Sequence, residues 1–167
     1  SMTTKILPAS ISLAKLRRIS SGVPSRGISG SMIRYSRMLL IFMHTITNDR
    51  DRVHSFLFGT RLTNVTRYLR HRDVDVALAR VAEAVEDWSG GTRIGAALRE
   101  FNATWGRRGT ARGAIVLVVS DGWDRGDPRL LVRELERLRL QSRRLIWINP
   151  RPNELAGQPL ALGMRAA

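Results

Sequence analysis

The chain has no cysteine, which excludes disulfides, thiolate metal sites and a cysteine nucleophile. Lysine is almost absent: only Lys5 and Lys15 occur, so nearly all of the 28 basic residues are arginine. Aromatics make up 6% of the residues and histidines number three. Neither a Walker A sequence nor a G-x-G-x-x-G is present, so nucleotide chemistry has no motif to rest on. The longest apolar run, "MLLIFM" from Met38 to Met43, is far short of the roughly 20 residues that span a bilayer. No secretory signal with charged, apolar and cleavage regions in order is seen, and a cytoplasmic location is the expectation. Ser1 ahead of Met2 reads as the remnant of a cleaved tag and takes no part in the fold.

What is present is an ordinary amount of apolar residue, 43% of 167, enough for one domain with a real core. The net charge of +14 favours acidic partners, whether protein, nucleic acid or anionic surface. "RHRD" and "RLRLQSRR" carry no interleaved aromatics of the kind that stack on bases. Arginines spread over a solvated surface explain the charge equally well.

The order of elements is regular from Ile28 on. "MIRYSRMLLIFMHTIT" (32–47) has apolar residues at helical spacing. "RVHSFLFGT" alternates Val53, Ser55 and Leu57 against His54, Phe56 and Phe58, which predicts a buried strand. "TNVTRYL" (63–69) reads as an edge strand, and "DVDVALARVAEAV" (73–85) as a helix capped by Asp73. "GGTRIGAALREFNATWG" predicts a turn feeding a helix that ends near Gly106. "AIVLVVS" (114–120) is apolar on both faces, as a central parallel strand should be. Pro128 opens the next helix, and "RLIWIN" (144–149) is the last strand. Strands alternating with helices imply an α/β fold around a mostly parallel sheet.

Such sheets bind ligands at the carboxyl ends of their strands. Three turns converge there: Ser29-Gly-Ser31 before the first helix, "SGGTRIG" with Thr92, and Asp121 after the central strand. Hydroxyls and a carboxylate are hard oxygen ligands, suited to Mg²⁺ or Mn²⁺. Each turn alone has a plainer reading: a Ser-Gly-Ser turn, a threonine near a helix cap, an acid closing a strand. Trp123 and Arg93 lie beside these turns and are candidate partner contacts, although tryptophans are more often packing residues.

"ISGSM", "WSGGTRIGAAL" and "VLVVSDGWDRGDP", in this order, resemble von Willebrand factor A (VWA) domains of the CoxE-like group. "FGTRLTNVTRYLRHRD" and "WINP" extend the resemblance over residues 28–167. It implies a three-layer, doubly wound, Rossmann-like sheet with a metal-ion-dependent adhesion site (MIDAS). The ion of such a site is completed by an acidic residue of a partner protein. The site's pattern, Asp-x-Ser-x-Ser, then Thr, then Asp, falls on Gly27, Ser29, Ser31, Thr92 and Asp121. CoxE-like proteins are accessory factors often found with MoxR-type AAA+ ATPases and linked to metalloenzyme maturation, so the resemblance implies a non-catalytic interaction module.

Two departures stand out. Gly27 occupies the position of the leading Asp, which leaves Asp121 as the one carboxylate of the set. A dication held by one anion and several neutral hydroxyls is dehydrated without matching Coulomb attraction, so weak or absent Mg²⁺ or Mn²⁺ binding is expected. The family's apolar first strand is also not evident: "SSGVPSRG" (20–27) contains Pro24, which a central strand excludes. Residues 1–27 therefore read as an irregular segment, native or frame-altered, before a domain at 28–167. "SISL" (10–13) is the one weak candidate to fill the slot. An open slot would invite strand exchange between chains.

Two other functions fit parts of the sequence. "GISGS" approaches the G-x-S-x-G elbow of hydrolases, but that elbow needs a feeding strand, and His44, His54 and His71 read as structural or surface residues. The other is a basic domain binding nucleic acid or acidic surfaces without metal.

Overall fold

The computed structural model describes residues 10–15, 30–49, 52–59, 61–85, 92–106, 109–120, 122 and 124–149, with side chains from Arg37 onward. The strands are β1 (Ser10–Lys15), β2 (Val53–Phe58), β3 (Leu62–Asn64), β4 (Ile115–Val119) and β5 (Arg144–Ile148). The helices are α1 (Gly30–Asp49), α2 (Thr66–Leu69), α3 (Val74–Ala84), α4 (Ile94–Phe101) and α5 (Pro128–Gln141).

The sheet runs β3-β2-β1-β4-β5. β1 pairs in parallel with both β2 and β4, Ser10 opposite Val53 and Ile115, and Ala14 opposite Leu57 and Val119. β4 and β5 are parallel, and β3 is the antiparallel edge. The central slot, expected to be empty or replaced, is thus filled from within the segment expected to be irregular. Two serines and a lysine thin the apolar signal of "SISLAK", but its alternation is the period of a strand. The proline argument applied only to residues 20–27, which lie beyond the end of β1. With the slot filled by the chain itself, the ground for strand exchange is gone.

Helices cover both faces, as the twofold apolarity of "AIVLVVS" requires. On one face Phe56, Phe58, Val116 and Val118 pack against Ile94, Leu98 and Phe101 of α4 and Leu131, Leu135 and Leu138 of α5. Phe56 meets Phe101 and Trp105 edge-on, each at 5.2 Å between ring centroids. On the other face Leu57 and Val119 pack against Leu39, Leu40 and Met43 of α1, Leu69 of α2 and Leu78 and Val81 of α3. Ser55 also points into this layer, and its hydroxyl is satisfied by Thr47 Oγ1 at 2.9 Å.

The edge strand expected over 63–69 stops at Asn64, and the β-branched residues after it form α2 instead. Local hydrogen bonds divert the chain. Asn64 Oδ1 accepts Thr66 N–H, and Thr66 Oγ1 accepts Ser55 N–H, the group that a longer β3 would have paired. Asp73 caps α3 as expected, accepting from Asp75 and Val76 N–H. α4 runs on into a π-helical turn, Asn102–Gly106. There the buried Asn102 amide donates to the Glu134 carbonyl and carboxylate, both at 3.0 Å.

α4 and α5 pack closely where α4 carries Gly95. A Cβ at that position would lie 2.9 Å from Leu131 N and 3.2 Å from Leu131 Cα, so the two backbones would have to separate. Gly95→Val is expected to cost about 1–3 kcal/mol by overpacking. Urea denaturation reads this as a lower midpoint at an unchanged slope. An unchanged midpoint would show that the helices are not held at this distance.

Candidate functional site

The carboxyl ends of β1, β2 and β4 lie side by side, since Lys15 is opposite Phe58 and Ala14 is opposite Val119. Ser31 stands in the first turn of α1. Thr92 is buried, one residue before the N-cap of α4. The β4–α5 loop follows Ser120. Topology therefore brings Ser31 and Thr92 to the edge at which β4 ends. Gly27, Ser29, Asp121 and Trp123 lie outside the described residues.

Three sets of hydrogen bonds hold this edge. Arg93 N–H donates to Gly59 O at 3.2 Å, tying the start of α4 to the end of β2. Arg125 N–H donates to Thr92 O at 2.9 Å, tying the β4–α5 loop to the same place. Ser120 is anchored to β5 by Ser120 N–H to Ile148 O at 3.0 Å and by Trp147 Nε1–H to Ser120 O at 2.9 Å. Its hydroxyl accepts Gly122 N–H at 3.2 Å, across a Gly122 whose φ of 76° suits glycine. The residues on both sides of Asp121 are thereby fixed.

Asp124 is the residue whose role the sequence did not reveal. It precedes α5, but the cap of that helix is Asp127, which accepts Arg129 N–H ahead of Pro128. Asp124 turns instead to α4. Its Oδ1 accepts Ile94 N–H at 3.0 Å and Gly126 N–H at 2.9 Å, and its Oδ2 accepts Gly95 N–H at 3.3 Å. The cause is a missing cap: Arg93 occupies the N-cap of α4 and supplies no side-chain acceptor, so the first N–H groups need an oxygen from elsewhere. The sequence did hold one signal, an Asp two residues before a Gly, the spacing at which an Asp accepts from its own backbone. With its carboxylate engaged by three N–H groups, Asp124 is poorly placed to replace the acid absent at position 27. Among the described residues, no three His, Cys, Asp or Glu side chains gather as a metal cluster. Arg93 and Arg125 are both exposed at this edge.

The sequence profile of the family described as "VWA domain containing CoxE-like protein" matches residues 11–167. The chain belongs to that family. The match enters through β1 and runs across residues 11–27, ahead of the boundary expected at Ile28. No curated protein matches the VWA chain in sequence. Among solved structures it is similar to proximal thread matrix protein 1 from the mussel byssus, at 15% identity and a TM-score of 0.54. A form of that protein "with zinc occupied MIDAS motif" gives 15% identity and 0.53. In both, 85% of this chain is covered but only 37% of the mussel protein, so the chain spans little more than a third of it. The SpRpn10 VWA domain is also 15% identical, with 89% of this chain and 91% of that domain covered at a TM-score of 0.48. At such identities the mussel structures speak for the VWA fold alone. No helix among the described residues is long and apolar enough to cross a membrane.

Removing the Asp124 carboxylate strands the N–H groups of Ile94 and Gly95, both buried. At about 1–3 kcal/mol for each unsatisfied buried group, Asp124→Ala is expected to lose about 2–4 kcal/mol of stability, and Asp124→Asn about half of that. Chemical denaturation of both variants measures it. A loss below about 1 kcal/mol for the alanine would mean that α4 is capped in another way.

Proposed function

We propose that this VWA chain is a non-catalytic protein-interaction module that recognises a partner at the carboxyl edge of its sheet. The observation that carries the reading is the bracing of that edge, with Asp124 and Arg125 of one loop fastened to the Thr92 loop. A surface whose loops are held by hydrogen bonds loses little conformational entropy when a partner docks. Ser29, Ser31, Thr92 and Asp121 are the residues that would hold Mg²⁺ or Mn²⁺ there. With Gly27 in place of an acid, binding is weak, and contact with the partner relies more on Arg93, Trp123 and neighbouring basic residues. The family supports a role beside a MoxR-type AAA+ ATPase in metalloenzyme maturation.

The exposed Arg93 and Arg125 favour a second reading, in which an acidic partner surface is held without metal. That contact would weaken steeply with salt and ignore a chelator.

Calorimetric titration of Mg²⁺ and Mn²⁺ into the chain and into Gly27→Asp tests the metal site. The variant is expected to bind at least about tenfold more tightly than the natural chain, since a second carboxylate adds Coulomb attraction. Adding Asp121→Ala should abolish the gain. If Gly27→Asp binds no better, these loops do not form an adhesion-type metal site.

A further inference from the structure

β3 pairs with β2 only from Phe58, at the carboxyl end, back to Phe56, and leaves the amino-terminal part of β2 at the opposite end of the sheet without it. Beyond that point the chain's own turn closes the edge: Val65 N–H donates to Ser55 O at 2.9 Å, and Thr66 Oγ1 accepts Ser55 N–H at 2.9 Å. The turn leaves a cleft over the start of β2, lined by His54, Asn64, Thr66, Arg67 and Arg70. None of these five residues is acidic. Two guanidiniums, an imidazole and a carboxamide line this one cleft, in a chain of net charge +14.

We propose that this cleft is a binding site for a phosphate-class oxyanion. Guanidinium forks match the paired oxygens of phosphate. A tetrahedral phosphate offers four acceptor oxygens to the two arginines and the imidazole that line the cleft, where a carboxylate offers two. The site is partly ordered in advance. The Arg67 guanidinium lies over the Tyr68 ring, 4.6 Å from its centroid, and donates to the Tyr68 hydroxyl. Thr66 is held as a wall by its bonds to Ser55. Holding groups in place beforehand lowers the entropy lost on binding.

His54 makes the site observable. Its pKa is lowered from 6.5, first by burial and second by the charge of Arg70, while Arg67 is the other cation lining the cleft. An anion between the imidazole and the arginines offsets the positive field, so bound phosphate raises the His54 pKa. By linkage, binding is then stronger as pH falls toward that value. The site is independent of the loops at the other end of the sheet.

The test is a pH titration of the three histidine ring signals by NMR on the full chain. One series is run in sodium phosphate and one in sodium chloride of equal ionic strength. Phosphate is expected to raise the His54 pKa by about half a unit or more (a threefold change in proton affinity), with His44 and His71 unmoved. Arg70→Gln and Arg67→Gln, both at exposed positions, should each remove most of the response. The proposal is overturned if His54 titrates alike in both salts, if all three histidines move together, or if both variants respond like the natural chain. A phosphoserine tripeptide in place of inorganic phosphate distinguishes the source. Action at lower concentration than the inorganic ion assigns a phosphorylated partner, and the reverse order assigns free phosphate.

Discussion

β2 and β4 do not pair with each other; each lies against one side of the backbone of Ser10–Lys15, which alone joins them in the sheet. A parallel strand buried between helices has no water to satisfy its N–H and C=O groups, and leaving them unpaired costs free energy at every residue. Six residues of β1 therefore set the distance between the β3–β2 half of the sheet and the β4–β5 half. They also set the level at which β2 and β4 end. The candidate site is a consequence of that level, because its loops start where those strands stop.

The layers built on this ladder differ in tolerance. The α4–α5 face is packed backbone against backbone at Gly95 and holds a buried polar node at Asn102 and Glu134. The α1 face is closed by aliphatic side chains around the buried Thr47–Ser55 hydrogen bond, and Met38 and Phe42 on the outer side of α1 remain exposed. The α4–α5 layer lies under Thr92 and the β4–α5 loop, while the α1 layer lies behind Ser31.

Most of the helices and strands could be read because their periods were unopposed. "AIVLVVS" and "RLIWIN" became β4 and β5, Asp73 capped α3, and Pro128 opened α5. β1 was legible only as a weak candidate because serine and lysine are poor indicators of burial. "TNVTRYL" misled for the opposite reason. Its β-branched residues favour a strand, but a threonine hydroxyl placed on Ser55 N–H took over the ladder's task and released the chain into a helix. At the candidate site, the place of Ser31 and Thr92 beside helix starts was legible in the sequence, while the bonds from Asp124 to residues 29 and 30 places earlier in the chain could not be seen without the fold. Nothing in the local sequence of α4 states which distant acid will cap it.

Near the end of the last described strand, the indole N–H of Trp147 donates to the carbonyl of Ser120. Indole emission depends on the hydrogen bond at its nitrogen, and this nitrogen touches the residue next to Asp121. Whatever displaces that loop, an ion, a partner or a neighbouring substitution, also perturbs a fluorophore that the chain already carries. Of the other tryptophans, Trp105 packs on Phe56 in the core. Events at the carboxyl edge of the sheet thus have an optical signal of their own, without any label.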